Sequence, residues 1–170
     1  TAANVVDPFQ PGQLHLARWT KAGRLGGGVE CDGGSYVSVQ SRMPLDAQSV
    51  SLWFRTTSEA TTLYEAGRYF TYYNNFVDRR ITLDKYGVVA EAGKQTVRAK
   101  GRFNDGKWHH IAHVFGKDVD GQRLYLDGVE VGKGLIPTFT MGQPLTVRLG
   151  PADGSGAVSL DDVRFYDRVL

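Results

Sequence analysis

Arg123-Leu-Tyr-Leu-Asp-Gly-Val-Glu-Val131 is the stretch that decides the fold. Leu124 and Leu126 alternate with Arg123 and Tyr125, and Val129 and Val131 flank Glu130. A period of two puts successive side chains on opposite faces of a strand. Asp127-Gly128 sits between the two runs. Asp-Gly suits a two-residue type I′ turn, whose central residues both need positive φ. The stretch predicts a β-hairpin.

The same alternation extends in both directions. It is clear in Ser35–Gln40, Ser49–Thr56, Arg80–Asp84, Trp108–Phe115, Gln122–Leu126, Leu145–Leu149 and Ser159–Tyr166. Turn signals separate the runs: Asp32-Gly33-Gly34, Asp105-Gly106, Asp120-Gly121 and Asp153-Gly154. No run carries apolar residues at helical spacing, and Pro8 to Gly28 is weakly patterned and expected to be loop-like. Short strands between tight turns predict an all-β sandwich or barrel. The 21 glycines in 170 residues fit a fold with many such turns. In Ser49–Thr56, Val50, Leu52 and Phe54 are expected to face inward. In the last run, Val163 and Phe165 form the expected apolar face, with Asp162 and Arg164 as neighbours on the other.

Composition bounds the partners. The net charge is only +2, which argues against a dedicated nucleic-acid binder. No apolar run approaches the roughly 18 residues of a membrane-spanning helix. The first residues lack the charged and apolar regions of a signal peptide, so any targeting segment is expected outside this stretch. With one cysteine, Cys31, no internal disulfide can form. Length and the absence of a linker predict one domain over residues 1–170.

Several motifs resemble the laminin-G-like, concanavalin A-like lectin domains. They are Gly28–Val37, Ser49–Thr56, Phe103–Phe115, Gly121–Val129 and Ser159–Leu170. The resemblance implies a two-sheet antiparallel jelly-roll sandwich. It implies an extracellular or secreted setting, with the domain covalently linked to others in a larger protein. It also implies structural calcium. The matching ligand positions are Asp32 and Asp161, with Asp7 as a further candidate.

No catalytic pattern accompanies these motifs. Glycoside hydrolysis needs two carboxyls about 5 to 10 Å apart. No Glu-x-Asp-x-x-Glu occurs, and Glu59 and Glu65 have no acidic residue between them. Gly101–Lys107 runs into Trp108 and a strand rather than a helix, so it is not a phosphate loop. His109 and His113 would sit about 13 Å apart along a strand, too far for one zinc ion. His113 is expected to be buried and satisfied. The expected protein is not an enzyme.

The unusual segment is Gly67-Arg-Tyr-Phe-Thr-Tyr-Tyr-Asn-Asn-Phe-Val-Asp-Arg-Arg80. Tyr69, Tyr72 and Tyr73 offer rings on which sugars stack. Asn74, Asn75, Asp78, Arg79 and Arg80 offer hydrogen-bond partners for hydroxyls, and Arg68 adds a further arginine to the same segment. The alternative is a tyrosine-rich strand packed into the core, with Asn74-Asn75 as its turn. Asp78-Arg79 and the following strand also resemble the carbohydrate-binding modules of sialidases. That resemblance makes Arg79 and Arg98 candidates for a sugar carboxylate such as that of sialic acid. The expected function is a non-catalytic carbohydrate-binding module that targets an attached catalytic or adhesive domain to glycans. The alternative is a protein-interaction, adhesion or spacer domain with no sugar site.

Overall fold

The structure is a computed structural model that describes residues 11–41, 47–68, 76–135 and 145–170. Two antiparallel sheets pack face to face. The first runs in the order β1 (Gln13–His15), β4 (Tyr36–Ser41), β13 (Leu145–Leu149), β6 (Thr61–Arg68), β7 (Phe76–Asp84), β8 (Gly87–Ala92) and β9 (Gln95–Lys100). The second runs β12 (Val129–Gly134), β11 (Gly121–Leu126), β10 (His109–Gly116), β5 (Gln48–Arg55), β14 (Val158–Tyr166), β3 (Gly28–Cys31) and β2 (Arg18–Thr20). One 3-10 turn, Lys117–Val119, is the only helical piece among the described residues.

The expected hairpin is present. Leu126 pairs with Val129 across Asp127 and Gly128, whose φ angles of 50° and 82° are both positive, as a type I′ turn requires. The expected inward face of β5 is also present: Val50, Leu52 and Phe54 are 3%, 0% and 0% exposed. They meet Leu63, Tyr64, Ile81, Leu83, Leu145 and Val147 of the first sheet in one core. Each buried aliphatic side chain there contributes about 1.5–3 kcal/mol. Cys31 is part of this core, and burial pushes its thiol up to about 12.

Pairing shifts register at four bulges among the described residues: one leaves Val131 of β12 extra, and the other three lie in β14, β6 and β7. Leu160 and Phe165 are five residues apart, which would place them on opposite faces. An extra residue between Asp161 and Arg164, with Asp162 at φ 47°, turns both toward the core. In β6 a register shift between Thr62 and Tyr64 lets the consecutive Leu63 and Tyr64 both be buried. In β7 Asp78 is the extra residue, because Ala66 pairs with Arg79 and Gly67 with Val77.

The segment from Pro8 to Gly28 departs from its loop-like reading. Its described part supplies β1 and β2, an edge strand for each sheet. The strands β6, β8 and β9 were also not anticipated. Gly87-Val-Val-Ala-Glu-Ala92 is buried at Val88, Val89, Ala90 and Ala92, so it shows no polar face to read. At one side the sheets come close. A Cβ on Gly132 or Gly134 of β12 would lie 2.6 or 2.8 Å from Val97 of β9.

Replacing Leu52 with Ala leaves a cavity at the centre of this core. It is expected to cost about 2–5 kcal/mol of unfolding free energy in urea melts. A cost below 1 kcal/mol would contradict the placement of β5.

Candidate functional site

The outward side chains of the first sheet form a continuous polar row. Pairing registers align Ser38, Arg148, Glu65, Arg80, Glu91 and Thr96 across six neighbouring strands. Directly opposed residues share a face, so charge alternates along this line. Arg148 Nη1 lies 3.4 Å from Glu65 Oε1, and Arg80 Nε lies 3.8 Å from Glu91 Oε2. Glu65 is itself only 5% exposed between Arg148 and Arg80, so it anchors the row rather than facing solvent. Burial raises its pKa, and the charges of Arg148 and Arg80 oppose that rise. A second line follows on β7 and β9, where Arg98 forks onto both oxygens of Asp84 at 2.9 Å.

Aromatic and neutral groups finish the row at β1 and β4. The rings of His15 and Tyr36 stack with centroids 4.4 Å apart, and the Arg148 guanidinium lies 5.2 Å above Tyr36. His15 Nε2 is 2.8 Å from Ser38 Oγ, and Gln40 Nε2 donates to Thr146 Oγ1. Donors and acceptors thus lie side by side on a rigid sheet. Such a surface binds polyhydroxyl groups by paired hydrogen bonds. At one edge of this face β4 ends at Ser41, β13 begins at Leu145, β6 ends at Arg68 and β7 begins at Phe76.

The residues anticipated from sequence are distributed unevenly around this face. Tyr69, Tyr72, Tyr73, Asn74 and Asn75 lie outside the described residues, as does Asp7. Arg68 is the last residue of β6. Arg98 is on the outer face, engaged by Asp84. Arg79 departs from its expected role. It shares the inward side of β7 with Ile81 and Leu83 and is 2% exposed, with its guanidinium 5.6 Å from the Phe115 ring. A side chain so enclosed does not meet a ligand arriving from solvent. Asp78 is likewise 5% exposed, and burial raises its pKa. Tyr36, Ser38, Glu65, Glu91 and Arg148 were not singled out, although 36, 38 and 40 form the polar alternation of a strand that the sequence predicts.

The three histidines of β10 have three different surroundings. His113 is buried against Gln122, 2.8 Å from its Oε1, and burial pushes its pKa down to about 4. His110 lies against Trp53, with centroids 5.1 Å apart. His109 bridges two carboxylates, Nδ1 to Asp127 at 2.8 Å and Nε2 to Asp105 at 3.1 Å. Burial works against the charged ring, but the hydrogen bonds to Asp127 and Asp105 outweigh it and the pKa rises.

Asp32 and Asp161, the two calcium candidates, stand apart. They flank β3, about 13 Å apart along the strand. Arg18 pairs with Asp32 at 3.0 Å, and the backbone N–H groups of Leu25 and Asp162 donate to the two oxygens of Asp161. Among the described residues no three His, Cys, Asp or Glu side chains cluster as metal ligands. No helix among them is long and apolar enough to cross a membrane.

A family model described as the concanavalin A-like lectin/glucanases superfamily, of laminin-G type, matches residues 31–170. The chain belongs to this family. No curated protein sequence matches it. Among solved structures, this laminin-G-type domain is similar to domain 4 of AbnA, an extracellular arabinanase of Geobacillus stearothermophilus, in complex with arabinotriose. The identity is 17% over 94% of this chain and 84% of that one, with a TM-score of 0.67. It is similar to Trypanosoma rangeli sialidase at 14% identity over 91% of this chain, TM-score 0.64, and spans only 27% of the sialidase chain. The binding domain of botulinum neurotoxin DC, in complex with SialylT, gives 10% identity over 94% of this chain and 44% of that one, with a TM-score of 0.63. At these identities the likeness is one of fold.

The His109 bridge sets a pH dependence. His109 holds its proton more tightly folded than unfolded. Its contribution is therefore complete below the ordinary histidine value of 6.5 and is lost as pH rises through the higher folded-state pKa. Asp105 is held down to about 2, by the Lys107 N–H and then by His109. Its share is present above 3.8 and is lost as pH falls through about 2. The melting temperature of wild type should exceed that of His109→Gln most between those limits, and the gap should narrow toward pH 9. A gap that stays constant from pH 5 to 9 contradicts the bridge.

Proposed function

We propose that this laminin-G-type domain is a non-catalytic carbohydrate-binding module, working outside the cell, that holds an attached catalytic or adhesive domain against glycans. The observation that carries the reading is the row of Arg148, Glu65, Arg80 and Glu91 on the outer face of the first sheet. The Glu91 carboxylate there accepts from sugar hydroxyls, and the Arg80 and Arg148 guanidinium groups donate to them. The arginines are already matched by Glu65, Glu91 and Asp84. That balance favours neutral sugars over acidic ones. The resemblance to the arabinanase domain in complex with arabinotriose supports the neutral-glycan reading, and the sialidase and toxin likenesses keep sialylated glycans in the test.

One observation favours a second reading, a protein-contact domain. Leu16, Trp19 and Leu25 are 89%, 54% and 62% exposed around the first two strands. Three large apolar side chains exposed within ten positions of one another suit a protein partner.

A glycan array run with calcium and again with chelator separates these readings. Neutral oligosaccharides are expected to give the signal, and it should survive chelation, because Asp32 and Asp161 are each engaged within the protein. Glu91→Gln and Arg80→Gln should each weaken binding about tenfold, the loss of one charged hydrogen bond of ~1.4 kcal/mol. A blank array, or binding unchanged in both variants, would overturn the proposal and favour the protein-contact reading.

A further inference from the structure

The outer face of the second sheet carries a separate polar row. Register aligns Arg18, Glu30, Ser159 and Arg55 across β2, β3, β14 and β5. The residues on either side of Glu30 and Ser159, namely Cys31, Val158 and Leu160, are buried in the core, so the row points to solvent. A cleft of about 310 Å³ opens over this row, with Glu30, Ser159 and Arg55 in its lining together with Thr57 and Gly106.

The charges in this cleft are not spent on each other. Arg18, the neighbour of Glu30, is taken by Asp32 at 3.0 Å. Glu30 and Arg55 stand two strands apart, about 10 Å, with only the Ser159 hydroxyl between them. Among the described residues neither makes an ion pair. The Arg55 guanidinium is held 4.9 Å from the face of Trp108, which fixes its plane. The wall is also fixed: Thr56 Oγ1 donates to the Ala157 carbonyl at 2.6 Å, and the Gly106 N–H donates to the Thr56 carbonyl at 3.0 Å.

We infer that this cleft is a second saccharide site, on the sheet opposite the first, and that it takes a single neutral sugar unit. A carboxylate at one side disfavours an anion, and a guanidinium at the other disfavours a cation. A polyhydroxyl ring between them donates to Glu30 and accepts from Arg55 and Ser159. The volume lies at the small end of ligand sites, of order 300–1,000 Å³. With sites on both sheets, one domain bridges two glycan chains, and avidity replaces affinity at either site.

The test is a set of amide NMR titrations of the whole domain with glucose, galactose, mannose, xylose and arabinose, each taken to tens of millimolar. At least one sugar is expected to give saturable shifts at the amides of Thr57, Gly106 and Ser159 and at the Trp108 indole N–H. The dissociation constant should rise tenfold or more in Arg55→Ala and in the near-isosteric Glu30→Gln. Amides of Arg80 and Glu91 report the first sheet separately, so either site can fail alone. No saturable shift at the cleft with any of the five sugars overturns the proposal. So do shifts that persist unchanged in both variants.

Discussion

A strand has two faces, and burying one dictates what the other shows. This constraint governs the whole sandwich. Ala66 and Tyr64 must enter the core for β6 to pack, and Glu65 between them is forced outward. The same holds for Arg80 between Arg79 and Ile81, and for Arg148 between Val147 and Leu149. Antiparallel pairing then brings those outward residues into one line. The charged row is therefore a consequence of core packing, and a register slip of one residue in β6 would dismantle both together.

The bulges refine this rule where the apolar residues are out of step. At Asp162 an extra residue turns both Leu160 and Phe165 inward, and it brings Arg164 within 2.8 Å of Asp162. The sequence predicts that pair from simple alternation; in the structure it forms through the bulge. At Asp78 the extra residue marks the end of regular pairing, next to the point where β6 and β7 part. Bulges commonly sit at the rims of sheets, where they re-aim side chains.

Much of the fold is legible because its signals are local. Asp127-Gly128 specifies a turn that two residues decide, and Val50, Leu52 and Phe54 specify a face that one strand decides. What escapes a local reading depends on partners. β1 and β2 are three residues each, too short for a pattern, and exist because β4 and β3 offer edges to pair with. β8 is buried on both faces except at Glu91 and shows no alternation. The site is harder still, since Arg148 and Glu65 lie 83 positions apart and meet only through register. Arg79 was legible in principle. Its spacing from Ile81 and Leu83 puts it on the apolar face, but its charge suggests a ligand contact instead.

The central claim is that the outer face of the first sheet binds glycan. A crystal structure of the domain with the strongest oligosaccharide from the array tests it most directly. The account predicts a sugar chain lying across β4, β13, β6, β7 and β8, with hydroxyls within hydrogen-bond distance of Arg80, Glu91 and Arg148. A bound oligosaccharide that leaves this face bare would contradict it.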